Sequence, residues 1–396
     1  MPRPRLLLTV ACLAAVGAVL PVVIAVGGAG GRGGVPAPTA VADPVPAAAP
    51  SAAPPRTPDP PRTLTLTMGG DLLWHNTVWQ AAQTDAARTG RGTDGYDFDP
   101  MFAGVRSWFA DADLALCHEE VPFAAPGAAP RSYPLFAAPP AVAPWLASMG
   151  FDACTTASNH SLDDGFEGLV RTHRMLRAQG IAPVGTFPTA AARRRPVLLT
   201  TDDGVRVGIV AGTYGTNGLP LPEGRAWSVS LWDAENLLAQ ARRARAAGAD
   251  IVVVHLHGDA EYVSTPTATQ QALVARLTRS PDVDLVLGEH AHVVQPITRV
   301  NGTWVAYGMG NLVAQHETWR SDAYRGVVVR FTFTEQPAGS GGGFEVTGAE
   351  YSAVGWNVGG AGTPIRVRRL PPSSAGAQAV RADVTALGAA PGLRLR

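Results

Sequence analysis

Six side chains that suit metal binding follow predicted β-strands in this sequence: Asp71, Glu120, Asn159, His257, His290 and His292. This mixture of carboxylates, an amide oxygen and imidazoles favours a pair of divalent cations. One carboxylate can bridge two ions, and the neutral ligands do not overcharge the site. Two such ions, about 3.5–4 Å apart, activate a shared water for attack on phosphorus or a carbonyl carbon. These ligands suit Mn, Fe or Zn alike. The alternative interpretation is an ordinary polar rim at one edge of a sheet.

The residue after Asn159 is a candidate for catalysis. His160 leaves the same loop as Asn159, so its side chain points in a different direction. An imidazole beside a metal centre can act as a general acid or stabilise a developing charge. Asp163 is close enough in sequence to orient that imidazole, as carboxylates near metal sites do. His160 and Asp163 are therefore the predicted catalytic pair.

The stretch Gly150–Gly185 is the element that must position this loop. An apolar strand, Phe151–Thr155, stops just before Asn159, and a turn leads into a helix with apolar residues at helical spacing. A second short strand begins at Ile181. This order predicts a βαβ unit, and in open α/β sheets ligands lie beyond the carboxyl ends of the strands.

The other candidate ligands also follow strands. Strand Thr63–Met68 runs into two glycines, which permit a close backbone approach just before Asp71. Strand Ala112–Cys117 ends close to Glu120. Two buried strands, 249–255 and 283–287, end at His-x-His pairs, and strand alternation places His255 and His257 on one face if the strand persists. The alternation of strands and helices predicts an α/β fold. His75, which follows Asp71 closely, is interpreted as a helix-capping or surface histidine.

Composition and charge limit the function classes. The formal net charge is zero and only 16% of residues are charged, so nothing indicates a nucleic-acid footprint. Residues 63–370 are long enough for one substantial α/β domain. Residues 371–396 are rich in Ala and Pro and are predicted to be a disordered tail.

The first 62 residues have a different character. Two arginines in Met1–Arg5 precede the uncharged apolar run Leu6–Val26, which predicts a signal peptide or membrane anchor within residues 1–29. Cleavage after Ala25 and retention as an anchor are both open, since the run is just long enough to span a bilayer. Residues 30–62 are Pro, Ala and Gly and predict an extended linker. In either case the remainder is expected to be exported, so the protein is extracytoplasmic, either secreted or membrane-anchored.

The exported part contains two cysteines, Cys117 and Cys154, which both end predicted strands. They could form a disulfide, or provide a thiol near the site. The interpretation favoured by the sequence is two small buried residues in neighbouring strands. Residues paired side by side in one sheet rarely have disulfide geometry.

Several motifs resemble one known family. GGDLLW, CHEEVP, GFDACTTASNHSLDDG, VVHLHGDAEY, VDLVLGEHAHVVQPI and VAYGMGNLV occur in the order of the capsule-synthesis CapA family, which includes the poly-γ-glutamate synthesis accessory proteins. The resemblance covers roughly residues 64–315. It implies a calcineurin-like metallophosphoesterase fold, a two-sheet sandwich flanked by helices. It also implies the same six metal ligands, with His160 as the catalytic histidine.

Two further residues enter through this resemblance. Asn311 matches the family's GN motif near the site and is predicted to bind substrate. His118 stands where many members have Asn, whereas Leu73 occupies the position of a ligand histidine in ordinary metallophosphoesterases. His118 is therefore predicted either to bind substrate or to serve as a substitute metal ligand.

Three functions remain open from the sequence. The first is a cell-envelope CapA-like protein of capsule or poly-γ-glutamate-type polymer synthesis or export, with a dinuclear hydrolase site. The second is a secreted metal-dependent phosphoesterase unrelated to capsule. The third is a non-catalytic envelope domain that binds polymer. The expected partners are an anionic polymer or a phosphoester substrate, a polymer-synthesis complex, and the membrane if the N-terminal segment is uncleaved.

Overall fold

Two mixed β-sheets organise the part of the chain that the computed structural model describes, residues 60–337 and 342–396. The strands are β1 (Thr63–Leu72), β2 (Leu114–Glu119), β3 (Ala153–Thr155), β4 (Ala182–Val184), β5 (Val197–Thr200), β6 (Arg206–Thr213), β7 (Ile251–His257), β8 (Leu285–Glu289), β9 (Ile297–Val300), β10 (Thr303–Ala306), β11 (Asn311–Val313), β12 (Arg325–Glu335), β13 (Phe344–Gly355), β14 (Arg368–Arg369) and β15 (Leu393–Leu395). The helices are α1 (Asn76–Thr89), α2 (Asp99–Phe102), α3 (Arg106–Ala110), α4 (Val142–Met149), α5 (Gly165–Ala178), α6 (Ala190–Arg194), α7 (Ala234–Ala246), α8 (Ala268–Leu277) and α9 (Ala375–Val384).

Both sheets contain a block of parallel strands. The larger sheet has the order β14-β13-β12-β1-β2-β3-β4, with β11 beside β1 and β15 beside β13. Strands β1 to β4 in it are parallel. The smaller sheet has the order β5-β6-β7-β8-β10-β9, in which β6, β7, β8 and β10 are parallel. The carboxyl ends of a parallel block meet at one edge of its sheet, where α/β proteins bind ligands.

The core lies in three apolar layers. One apolar cluster joins side chains of both sheets, including Leu66 of β1 and Val253 of β7, so the sheets pack face to face. A second covers the other face of the larger sheet with α1, α3, α4 and α5. A third covers the outer face of the smaller sheet with α7 and α8. The predicted α/β class, with two sheets and flanking helices, is confirmed.

The βαβ unit predicted around Asn159 is present. Strand β3 pairs in parallel with β4, and α5 connects them. Strand β3 is shorter than predicted because Phe151 and Asp152 precede the ladder. The loop from Thr156 to Asp164 therefore leaves the carboxyl end of β3, as the sequence indicated.

Strand β1 reaches Asp71 through a close backbone approach. A Cβ atom added to Gly70 would lie 2.1 Å from the carbonyl oxygen of Gly310, which precedes β11. Only glycine fits at position 70 without moving that neighbouring strand. The approach pairs Asp71 with Asn311 across β1 and β11.

Gly70→Ala is expected to destabilise the fold by about 3 kcal/mol, because the added methyl group must displace backbone. Gly215→Ala is a matched control, since nothing lies within 4 Å of a Cβ added there. Chemical denaturation of both variants measures the difference in the free energy of unfolding. Equal stability of the two would show that the strand contact at Gly70 is not close.

The two cysteines are buried in neighbouring strands, as the sequence favoured, but the expectation that they do not pair is wrong. Cys117 and Cys154 are register partners on β2 and β3, their Cα atoms are 4.5 Å apart, and the structure joins them in a disulfide. The sequence could not supply the register that places them directly opposite each other. That separation falls within the usual Cα range of disulfides.

The predicted disordered tail is also wrong for residues 371–396. Helix α9 packs Ala377, Val380 and Val384 into the cluster between the sheets, and β15 pairs in parallel with β13. The segment is ordered because apolar residues at helical spacing give α9 one apolar face, which it buries against the sheets. The Ala/Pro-rich composition alone did not reveal this spacing.

The N-terminal predictions fall mostly outside the described residues. The signal or anchor within residues 1–29 lies wholly outside them, as does the linker apart from residues 60–62. Among the described residues, no helix combines the length and apolar character needed to cross a bilayer.

Candidate metal centre

The candidate ligands converge at the carboxyl ends of strands from both sheets. Asp71 lies at the end of β1, and His118 and Glu120 lie at the end of β2. His257 ends β7, while His290 and His292 follow β8. Each position is set by where its strand stops, so packing the two sheets together brings the six side chains into one place.

The structure forms two groups of three potential ligands. Asp71, His118 and His257 make the first group, and Glu120, His290 and His292 make the second. Within each group, one ligand atom from each residue lies within 4.8 Å of the others. Every one of these residues is buried. Five of the six predicted ligands are members of these groups.

Asn159, the sixth predicted ligand, lies beside the first group. Its Oδ1 atom is 2.8 Å from Nε2 of His257, and its amide nitrogen donates to Oδ1 of Asn217. The two groups also adjoin each other. Nδ1 of His292 is 3.2 Å from Oδ2 of Asp71, and Nε2 of His257 is 3.8 Å from Oε1 of Glu120. The whole set therefore forms a single polar cluster, which we call the metal centre.

Several buried atoms of the metal centre have no hydrogen-bond partner within residues 60–337 and 342–396. They are Oδ1 of Asp71, Nε2 of His118, both carboxylate oxygens of Glu120, Nδ1 of His257 and Nδ1 of His290. Buried polar atoms are costly to leave unpaired, and a cluster of them is unusual in a folded protein. All are lone-pair donors of the kind that divalent cations prefer. The residues present therefore fit a bound metal.

The electrostatics agree with this fit. Burial lowers the pKa of His118 and of His290 to about 3, so both imidazoles are neutral, the form that binds metal. Burial and the charge of Asp71 raise the pKa of Glu120. Burial also lowers the pKa of His292, but Glu120 and Asp71 outweigh it and raise the value to about 10. Two carboxyl groups crowded in a buried site thus favour protonation of Glu120 and His292, and a bound cation would replace those protons.

The loop after β8 holds its ligands in unusual backbone conformations. His290 has a φ of 90° and His292 a φ of 56°. Positive φ is uncommon for residues other than glycine and costs about 1–3 kcal/mol at each position. The backbone N–H of His290 donates to Oδ2 of Asp71 at 3.3 Å. Strain of this kind clusters at functional sites, where the surrounding structure enforces it.

The predicted catalytic pair forms next to the centre. Nδ1 of His160 is 2.6 Å from Oδ2 of Asp163, which also accepts the backbone N–H of Phe136. The ring of Phe136 packs edge-on against His160 at 4.9 Å. Asp163 therefore fixes the orientation of the imidazole, as the sequence predicted.

His118 and Asn311, the two residues predicted to bind substrate, lie in the interior of the protein. Both are fully buried, like the candidate ligands, and their role as substrate contacts stays a prediction. His118 is grouped with Asp71 and His257, which matches the alternative prediction of a substitute ligand. Asn311 accepts a hydrogen bond from His292 at 2.9 Å and therefore orients a ligand. Both residues lie on strands of the larger sheet, His118 on β2 and Asn311 on β11.

Thr155→Val is expected to weaken metal affinity about tenfold, because Oγ1 of Thr155 lies 2.8 Å from Nδ1 of His118 and orients that ring. Thr156→Val is the matched control, since its hydroxyl bonds to Thr186 and to a carbonyl oxygen of β4 instead. Metal titration by calorimetry compares the two variants. Equal affinities would remove His118 from the ligand set.

The structure adds residues that the sequence did not single out as parts of the site. Glu289 and His255 are buried, and neither side chain has a hydrogen-bond partner in the described residues. His255 lies against His118 with ring centroids 4.8 Å apart, and the His-x-His alternation was a signal for it. His75 stands at the N-cap of α1, but its side chain makes no capping hydrogen bond; instead its half-buried ring accepts the backbone N–H of Gln315 and packs against Phe136.

Curated capsule-synthesis proteins are similar to this chain in sequence. The sequence is 29% identical over 168 residues to "PGA biosynthesis protein CapA" of Bacillus subtilis (strain 168), covering 42% of this chain and 44% of the relative. It is 28% identical over 199 residues to a "Probable polyglutamine synthesis accessory protein" of Mycobacterium tuberculosis (strain H37Rv), covering 45% and 51%. The chain spans about half the length of the curated relatives it matches.

Solved structures give weaker similarity. A calcineurin-like phosphoesterase, YfkN from Bacillus subtilis, matches with a TM-score of 0.45 and 14% identity, covering 74% of this chain and 91% of that one. A putative 5'-nucleotidase from Staphylococcus aureus matches with a TM-score of 0.45 and 14% identity, covering 73% and 54%. Similarity at these TM-scores supports no conclusion about activity.

The family assignment rests on a longer match. The model of the family described as bacterial capsule synthesis protein PGA_cap matches residues 65–316, more than half of the chain and the whole interval that contains the metal centre. This chain is a member of the PGA_cap family of bacterial capsule synthesis proteins.

Proposed function

We propose that this chain is an extracytoplasmic, CapA-like protein of capsule or poly-γ-glutamate-type polymer synthesis whose metal centre hydrolyses a phosphoester bond. The observation that carries the proposal is the convergence of unpaired, buried ligand atoms from both sheets on Asp71 and Glu120. In a polar cluster that serves only structure, the buried side chains hydrogen-bond to one another. In this cluster, the ligand atoms lie close together without hydrogen bonds.

The proposed cofactor is a pair of divalent cations, Mn, Fe or Zn. Asp71, His118, His257 and Asn159 would hold one side of the centre, and Glu120, His290 and His292 the other. Bound cations of this kind polarise a phosphoryl oxygen and lower the pKa of a coordinated water. The neutral imidazoles of His118 and His290 supply ligands without a proton having to leave, whereas His292 releases a proton when a cation binds.

The His160–Asp163 pair favours turnover over simple polymer binding. A carboxylate that bonds Nδ1 leaves Nε2 of the imidazole as the atom that faces outward. His160 is only slightly exposed and follows Asn159 directly in the same loop. We propose that His160 acts as an imidazolium: Nδ1–H donates to Asp163, the Nε2 proton passes to the leaving-group oxygen, and the imidazole is left neutral.

Export and the polymer partner are also part of the proposal. The apolar run after two arginines supports export, and the disulfide between Cys117 and Cys154 is of a kind that persists in oxidising compartments. The relatives' names support an anionic capsule polymer, or a phosphoester met during its synthesis, as the partner.

The proposal is tested on protein purified without chelator or reducing agent. We expect the metal content to be close to two divalent ions per chain and the protein to hydrolyse bis(p-nitrophenyl) phosphate. EDTA should remove the activity, and Mn²⁺ should restore it. Bound metal without hydrolysis, together with binding of poly-γ-glutamate, would replace the enzymatic proposal with polymer binding. Absence of bound metal after Mn²⁺, Fe²⁺ and Zn²⁺ have each been supplied would reject both.

A further inference from the structure

Tyr262 lies at the edge of the metal centre in a strongly constrained position. It follows β7 in the segment before α8, and its φ is 59°, a conformation that is a genuine outlier for a bulky residue. Its backbone N–H donates at 2.7 Å to the carbonyl oxygen of Ala291, between the two ligands of the β8 loop. The guanidinium of Arg320 covers its ring at 3.9 Å. The fold therefore fixes this side chain beside His292, with ring centroids 6.0 Å apart.

A hydrogen-bond network determines the protonation of its neighbour His316. The amide oxygen of Asn311 faces Nδ1 of His292, and the amide nitrogen faces the carbonyl oxygens of His292 and Ala323 at 3.2 and 2.9 Å. Those contacts fix which way the amide points. Nε2 of His316 lies 3.0 Å from the same amide nitrogen. An amide nitrogen accepts no hydrogen bond, so Nε2 of His316 must be the unprotonated atom.

The tautomer of His316 in turn orients the hydroxyl of Tyr262. A neutral imidazole with a bare Nε2 carries its hydrogen on Nδ1, and Nδ1 lies 3.2 Å from the Tyr262 hydroxyl. The hydroxyl oxygen therefore accepts this bond, and its own proton remains to be donated. No acceptor for that proton occurs among the described residues, and the Tyr262 side chain is only half-buried. The network thus leaves the Tyr262 hydroxyl hydrogen available to donate to a ligand.

We propose that Tyr262 is a substrate-binding residue that donates its hydroxyl hydrogen to a non-bridging oxygen of a phosphoryl group held at the metal centre. The inference rests on the proposed function, because it places that group next to His292. Phosphoryl oxygens carry the charge of the substrate and of the transition state, and fixed donors aimed at them stabilise both. The neighbouring Arg320, which also pairs with Glu317 at 3.4 Å, holds the Tyr262 ring at the same rim.

The test is calorimetric titration of the Mn²⁺-loaded protein with inorganic phosphate. Tyr262→Phe keeps the ring and its packing but removes the donor, and we expect phosphate affinity to fall about tenfold with metal content unchanged. His316→Phe keeps the Tyr262 hydroxyl but removes the bond that orients it, together with the contact to Asn311, so we expect a smaller loss. Tyr351→Phe is the control, since this hydroxyl lies on β13, which supplies none of the candidate ligands. Thermal unfolding verifies that all variants are folded.

The outcomes separate this inference from the proposed function. Wild-type protein that binds metal and phosphate, with equal phosphate affinity in Tyr262→Phe, would overturn the role of Tyr262 and leave the proposed function standing. Wild-type protein that binds metal but neither binds phosphate nor hydrolyses the phosphodiester would overturn both. If Tyr262→Phe and Tyr351→Phe lost the same phosphate affinity, the loss would be a general effect of removing a tyrosine hydroxyl. That result would also overturn the role of Tyr262.

Discussion

Asp71→Ala is expected to abolish binding of divalent metal while the protein still unfolds in one cooperative transition. The Asp71 carboxylate lies 3.7 Å from His118, 3.9 Å from His257 and 3.2 Å from His292, so it faces ligands of both groups. Its loss removes the charge that offsets a cation held by neutral imidazoles. His292→Ala should have the same effect on metal content. Elemental analysis gives the stoichiometry, and thermal unfolding with and without Mn²⁺ gives the stabilisation that binding confers. Unchanged stoichiometry in both variants would show that the ligands are misassigned.

Two adjacent glutamates provide the control for this experiment. Glu120→Gln should lose metal, because both oxygens of Glu120 are buried and unpaired. Glu119→Gln should retain it, since both oxygens of Glu119 lie 2.9 Å from the indole nitrogen of Trp74, in the apolar layer outside the larger sheet. The two variants make the same chemical change one residue apart. Loss of metal in both would indicate that the fold, and not the ligand set, had been damaged.

His160→Ala is expected to lower phosphodiester turnover by about 10²–10⁴-fold while metal content stays at the wild-type level. The loss follows from the removal of the proposed proton donor, whose Nδ1 is already bonded to Asp163. Steady-state rates with bis(p-nitrophenyl) phosphate measure the effect. Asp163→Asn should cause a smaller loss, because the imidazole remains but loses the carboxylate that orients it.

A second histidine serves as the control for His160. His173 lies on α5, half-buried and outside the metal centre, and His173→Ala should leave turnover unchanged. Loss of metal in His160→Ala would mean that this residue is a ligand and not a proton donor. Turnover equal to that of the wild type would remove it from the mechanism.

Much of the metal centre was predictable because each ligand follows a strong strand pattern. The run of β-branched residues in β7 and the glycines before Asp71 are local signals, and parallel strands bring their carboxyl ends together whatever the details of the loops. The His160–Asp163 contact was also predictable, since the two residues are separated by a single turn. Such features depend on short stretches of chain and on the period of the strand.

Other features were missed because they depend on residues far apart in sequence. His316 meets Tyr262 from a loop 54 residues away, and no periodic pattern marks either residue. The pairing of Cys117 with Cys154 depends on the register of β2 and β3. The order of the C-terminal segment depends on an apolar surface that only the assembled sheets present to α9.

The sequence by itself determined the α/β class, the strand ends that carry the ligands and the chemical types that suit a divalent metal. Only the tertiary structure decided that His118 lies among the candidate ligands, that Asn311 bonds to His292 and that Tyr262 is fixed beside them. Strand periodicity and turn chemistry are properties of neighbouring residues, so the sequence contains them directly. Burial and hydrogen-bond partners arise when two sheets pack together, and they are set by distances between residues that the chain itself does not connect.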